Sequence, residues 1–138
     1  MAEKKIHVPV LLADGQTIEG VFTLEYSDPW DEHAPVTLKL KLPRKKLETK
    51  RKTFFEAMQA IRLQLEPEGI ALLCNGACEN VAFIEILTAD DGRYAHVLKL
   101  GEQPKKKNSV DIFAFDPTLS FATVQEQETF YQAWLESL

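Results

Sequence analysis

The stretch from Thr53 to Cys78, TFFEAMQAIRLQLEPEGIALLCNGAC, leaves this chain few ways to fold. Thr53 is a good helix N-cap, and Glu56 follows at the spacing where hydroxyl and carboxylate each satisfy a free amide of the first turn. Phe54, Met58, Ile61 and Leu65 recur at i, i+4, i+7 and i+11, one face of a 3.6-residue repeat. Gln59, Arg62 and Glu66 fall opposite. Pro67 disfavours the helical conformation at the residue before it, so the helix should stop at Glu66, and Gly69 frees the backbone for a turn. Ile70 to Cys74 then runs without a polar residue, which fits a strand covered on both faces. The expectation is a central strand with the Thr53–Leu65 helix packed on its sheet. Burying the four apolar helix residues contributes roughly 6–12 kcal/mol before chain entropy, at about 1.5–3 kcal/mol per large side chain.

The flanks supply the rest of the sheet. Ile6, Val8, Val10 and Leu12 alternate as in a half-buried strand, and Pro9, which cannot donate to a ladder, places it at an edge. Ala13-Asp14-Gly15-Gln16 is a turn, and Ile18 to Tyr26 repeats the period of two, so the pair forms a hairpin. Val36, Leu38, Leu40 and Leu42 give the cleanest strand pattern, ended by Pro43. Beyond the central helix, Val81–Leu87 reads as a strand, or a short helix and then a strand. Ala89-Asp90-Asp91-Gly92 reads as a turn, and Tyr94–Leu100 and Val110–Phe115 as strands. Gly101 to Ser109 reads as an exposed loop. Thr123 and Glu126 repeat the capping spacing ahead of a last helix with Tyr131, Trp134 and Leu138 on one face and Phe130 and Leu135 beside it. Two helices among six or seven strands cannot cross over between every strand pair. The class is therefore α+β: a single, mostly antiparallel sheet carrying a central and a C-terminal helix.

At 138 residues the chain fits one domain, 1–138, with apolar residues enough for a core. No apolar run approaches 18 residues, so no membrane span is expected. The N-terminal MAEKKIHVPVLL is too short in its apolar part, and too polar, for a signal peptide. With two cysteines this points to a reducing, cytoplasmic setting.

Charge is unevenly spread. Residues 39–52 carry eight Lys/Arg and one Glu, a balance of +7, whereas the whole chain stands at −5. The bland reading of Lys39–Lys52 is a solvated loop; the sharper one is an anion-binding patch at Lys45, Lys46, Lys50, Arg51 and Lys52. Interleaved aromatics are absent from the block, and the net charge is negative, so nucleic acid is an unfavoured partner.

Catalytic and metal chemistry find little support. Cys74 and Cys78 are spaced C-x-x-x-C, but a zinc site needs about four ligands, and His7, His33 and His96 do not pair with one another at ligand spacing. Cys74 reads as a core thiol. Cys78, beyond Gly76, is a candidate exposed thiol with His96 as its conceivable base. Glu85, Asp90 and Asp91 read as solvent-facing and turn residues, and no phosphate-loop motif is present. No metal, cofactor or catalytic residue is expected, and the protein is read as a non-enzyme. Trp30, among Asp28, Asp31 and Glu32, either caps the core or anchors a basic partner.

The segments FFEAMQAIRLQLEPEGIALLCNGA, VDIFAFDP and EQETFYQAWLESL together resemble a family of small bacterial proteins of uncharacterised function. The resemblance implies a bacterial cytosolic protein with no known active site. At the level of class alone, size, acidity and the lack of catalytic groups are similar to those of immunity proteins that neutralise toxins. The functional expectation is a protein-binding inhibitor, monomeric or homodimeric. A chaperone or adaptor for a secreted protein, and a nucleic-acid or phosphate binder, are the alternatives.

Overall fold

The computed structural model describes every residue except Thr88 and Ala89, and at Ile86 the backbone alone. Four long strands come first: β1 (Ala2–Leu11), β2 (Thr17–Tyr26), β3 (Val36–Leu42) and β4 (Lys45–Arg51). Helix α1 (Phe54–Leu65) follows. The short strands β5 (Ala71–Leu72), β6 (Val81–Ala82), β7 (Tyr94–Val97) and β8 (Ser109–Asp111) come next, and α2 (Val124–Ser137) is last. The class is α+β, with antiparallel pairing throughout the described strands. The strands divide between two sheets, β4-β3-β2-β1-β5 and β6-β7-β8, where the sequence reading drew one. The division falls at the 3₁₀ turn Asn75–Ala77. There the Asn75 and Gly76 amides donate across to the carbonyls of Ala114 and Ile112, at 2.7 and 2.9 Å. The chain is thereby tied to the segment just after β8, and β6, β7 and β8 pair among themselves.

Alternation sets the first three strands. Val8, Val10, Phe22, Leu24, Val36, Leu38 and Leu40 are all buried on the inner face. The β1–β2 hairpin turns at Gly15 (φ 88°), where the Asp14 carboxylate accepts from the Gln16 amide at 2.9 Å. Gly20 in β2 has a packing reason: a Cβ there would lie 3.0–3.2 Å from the side chains of Leu42, Val10 and Leu40.

Two strand placements need correction. The Ile70–Cys74 run is not the middle of the sheet but its outer end, with two paired residues. Leu72 and Cys74 point inward, Ala71 is exposed, and Ile70 and Leu73 are half-buried. An unbroken apolar run therefore disguised a strand covered on one face. Conversely, β1 lies between β2 and β5, although β5 reaches only Val10 and Leu11. The Leu73 amide donates to the Pro9 carbonyl at 3.0 Å. In an extended strand a residue's N and C=O point to the same side, so the missing N–H of Pro9 faces β5 and spares the β2 ladder.

The basic block is not a loop either. Lys45–Arg51 forms β4, in register with β3 from Leu42↔Lys45 to Val36↔Arg51. Leu47 and Thr49 face the core, and the Thr49 hydroxyl donates to the Ala57 carbonyl of α1 at 3.1 Å. Two inward side chains in seven are a faint signal beneath so much charge.

Helix α1 lies as its periodicity requires. Phe54, Met58, Ile61 and Leu65 are fully buried, and the Thr53 hydroxyl accepts from the Glu56 amide at 3.2 Å. Phe54 meets Tyr26 and Phe113 edge-on, and Phe113 meets Phe22 likewise. Beyond Leu65 a 3₁₀ turn, Glu66–Glu68, carries Pro67, and Gly69 (φ 72°) ends it. Helix α2 begins with both arms of a capping box, Glu126 N to Thr123 Oγ1 at 3.1 Å and Thr123 N to Glu126 Oε1 at 2.8 Å. Trp134 packs in a second cluster with Ala82 of β6 and with Ile84 and Leu98. Leu138 lies past the helix end and is half exposed, so the buried stripe of α2 is Gln127 and Trp134 with Phe130 and Tyr131 half-buried. No helix among the described residues is long and apolar enough to cross a membrane.

Candidate binding groove

The loop between β2 and β3 stands out from the sheet. Asp28, Trp30, Asp31 and Glu32 are all exposed, Trp30 by 46%. The indole therefore does not cap the core, one of the two readings its sequence allowed. Local bonds shape the loop: the Asp31 carboxylate accepts from the His33 amide at 2.9 Å, and the Asp31 carbonyl accepts from the Ala34 amide at 3.0 Å.

Trp30 borders a cavity of about 510 Å³ that it shares with Glu32, His33, Lys52, Phe83 and Glu85. A second cavity, of about 520 Å³, continues past Phe83 to Gln103, Tyr131 and Leu135. A third, of about 230 Å³, lies between Glu56 and Gln59 of α1 and Glu128 and Tyr131 of α2. Phe83 borders all three, so they adjoin one another, and the row they make is termed the groove. The end of β4 places Lys52, the first turn of α1 places Glu56, the segment after β6 places Phe83 and Glu85, and α2 places Glu128 and the half-buried Tyr131. Lys52 Nζ lies 3.2 Å from Glu85 Oε1. Asp90 accepts from the Gly92 amide at 2.7 Å, and its half-buried position raises its carboxyl pKa above the ordinary range. The sequence reading named Trp30 but missed Phe83, Glu56 and Glu128, because only the meeting of α1, α2 and the β6–β7 connection makes them neighbours.

The basic-patch residues do not gather in one place. Lys52 is in the groove, and Lys45 pairs with Glu68. Lys39 lies 2.8 Å from Glu25 and 3.7 Å from Glu48. Among the described residues, Lys41, Arg44, Lys46, Lys50 and Arg51 have no carboxylate within 4.0 Å. Lys41 and Lys46 face each other directly across the ladder. Lysines on an outer strand also discourage edge-to-edge pairing with another chain, which accounts for much of the block.

Cys78 is not exposed: it is 1% accessible, and Cys74 is fully buried. Burial pushes the Cys74 thiol up to about 12 and the Cys78 thiol up to about 11, opposed by the Arg62 guanidinium. Both are therefore neutral at pH 7 and poor nucleophiles. His96, 2% exposed on β7, has its pKa lowered by burial, with the Asp90 carboxylate pulling the other way, and its Nδ1 has no hydrogen-bond partner. Asp91 is buried rather than solvent-facing: its carboxylate lies 3.2 Å from Arg93 Nε, and its carbonyl accepts from the Phe54 amide at 2.8 Å. Among the described residues no three His, Cys, Asp or Glu side chains are grouped to hold a metal ion.

Arg62 departs furthest from its expected place. It is 3% exposed, donates to the Gly76 carbonyl at 3.3 Å, and also bonds Gln127 Oε1 and the Ala122 carbonyl. Glu66, 4.0 Å from Arg62, accepts from the Val124 amide at 2.8 Å. Together these residues lock the start of α2 onto α1 and so fix the far end of the groove. Comparison of the chain with protein-family models and with curated proteins gives no match.

Proposed function

We propose that this is a non-enzymatic protein-binding domain, and most concretely a bacterial immunity protein that neutralises a toxin by covering a basic functional surface. The observation that carries this reading is Trp30, an exposed indole at the mouth of a groove with Asp28, Asp31 and Glu32 exposed beside it. A rigid aromatic in a ring of carboxylates supplies a central anchor, and the carboxylates steer a basic partner during encounter. The neutral, buried thiols of Cys74 and Cys78 support a binding role over thiol chemistry.

The test is protection. The product of the gene adjacent to this one is expressed in a sensitive host, with and without this protein. The expected result is growth arrest relieved by the wild-type chain and not by Trp30→Ala. A neighbouring product that is harmless, or one whose toxicity the wild-type chain leaves unchanged, contradicts the reading.

A second reading has its own support. Lys41, Arg44 and Lys46, without a carboxylate within 4.0 Å among the described residues, lie at the β3–β4 turn, where an acidic protein face or a phosphate backbone would relieve their repulsion. A phosphate contact of this kind weakens steeply with salt. No retardation of DNA or RNA at low salt removes the phosphate form of that reading.

A further inference from the structure

We propose that the groove running from Trp30 past Phe83 to Tyr131 holds an extended, cationic polypeptide segment of the partner. The inference rests on the protein-binding reading above and specifies what the partner presents.

Shape comes first. The three cavities share borders in sequence: Lys52, Phe83 and Glu85 between the first and second, and Glu56, Phe83 and Tyr131 between the second and third. The result is a row of three adjoining, open cavities, unlike the single enclosed and mostly apolar pocket a drug-sized ligand favours. An extended chain offers side chains to alternate sides about every 3.3 Å and can follow such a row from end to end.

Charge then selects the segment. Glu32, Glu56, Glu85, Asp90 and Glu128 line the groove against Lys52 and Lys106. Lys52 is already engaged by Glu85. Glu56 and Glu128 border the same cavity, and neither has a Lys or Arg within 4.0 Å among the described residues. An anionic ligand is repelled there, and a Lys or Arg side chain is attracted. The aromatic lining strengthens the choice. Trp30, Phe83 and Tyr131 give apolar faces for the methylene stems of Lys and Arg and ring faces for their charged heads.

The experiment is a two-dimensional ¹H–¹⁵N titration of the full chain, at low salt, with nona-arginine, and with nona-glutamate as the opposite-charge probe. The expected result is saturable shifts at the Trp30 indole N–H and at the amides of Glu56, Phe83 and Tyr131, with none from nona-glutamate. The double variant Glu56→Gln, Glu128→Gln changes two exposed residues and keeps every backbone bond of the helix caps. It should weaken nona-arginine binding by about tenfold or more, as loss of two charges from one partly desolvated cavity requires. Shifts confined to the Asp28–His33 loop, with the double variant unchanged, overturn the groove and leave the protein-binding reading to stand or fall on the protection assay. No shifts, or shifts scattered over surface carboxylates without saturation, overturn the groove as well.

Discussion

Arg62 occupies a position that helical periodicity assigns to solvent, yet it is buried with three acceptors around it. Burial pulls its pKa down from the ordinary value, but an arginine remains charged near neutrality. Replacing it with Leu keeps the apolar stem and strands the Ala122 carbonyl and the Gln127 amide oxygen, while the Gly76 carbonyl keeps the Gln127 Nε2 donor at 3.1 Å. The expected loss is roughly 2–6 kcal/mol in urea unfolding, at about 1–3 kcal/mol for each buried acceptor left unsatisfied. A loss under about 1 kcal/mol contradicts the role given to it. His96 is the other buried group with a consequence. Its folded pKa lies below its unfolded value, so the unfolded chain binds the extra proton. Stability is complete above about pH 6.5 and falls as pH drops below it. Unfolding measured from pH 7.5 to 5 should show this decline, and His96→Asn should flatten it. For Cys74 and Cys78, Ellman's reagent should leave both thiols untouched in the native protein and titrate both in guanidinium; rapid native labelling contradicts their burial.

At the scale of elements, α1 was legible because four apolar residues, a cap and a following proline all agreed. The β1–β2 hairpin and β3 were legible because one covered face gives a clean period of two. Strand β4 was not, since its inward residues are only Leu47 and Thr49 among charged neighbours. Strand β5 misled in the opposite way: local hydrophobicity reports burial, and Cys74 is buried, but burial by α1 and the loops does not make a strand central. The end of α2 was read one residue too far, at its C-cap Leu138, and Gln127, the buried polar residue that begins its inner stripe, was missed because it carries no hydrophobic signal. Of the groove, Trp30 was visible as an aromatic stranded among acids; its opposite wall comes from residues distant in the chain and had no local mark. The edge strand makes its own prediction. Lys41 and Lys46 are directly cross-strand, so Lys46→Glu should stabilise the hairpin by about 0.2–1 kcal/mol at low salt, with the gain fading as salt rises. An unchanged or lowered midpoint contradicts the pairing.

In the whole molecule, a five-stranded sheet and a small three-stranded sheet are held together by α1, the Asn75–Ala77 turn and the Arg62–Gln127 contact. The groove lies where the β2–β3 loop, both helices and the segment after β6 approach one another, so its shape depends on the packing of the full chain. On the proposed reading its carboxylates and exposed indole meet a basic surface, while the buried thiols of Cys74 and Cys78 lie outside the groove lining. The most direct measurement is calorimetric titration of the adjacent gene's product into the wild-type chain and into Trp30→Ala. The account predicts tight binding that Trp30→Ala weakens by about 30-fold or more, the loss of a hot-spot aromatic. Equal affinity for the two chains, or no heat with either, contradicts it.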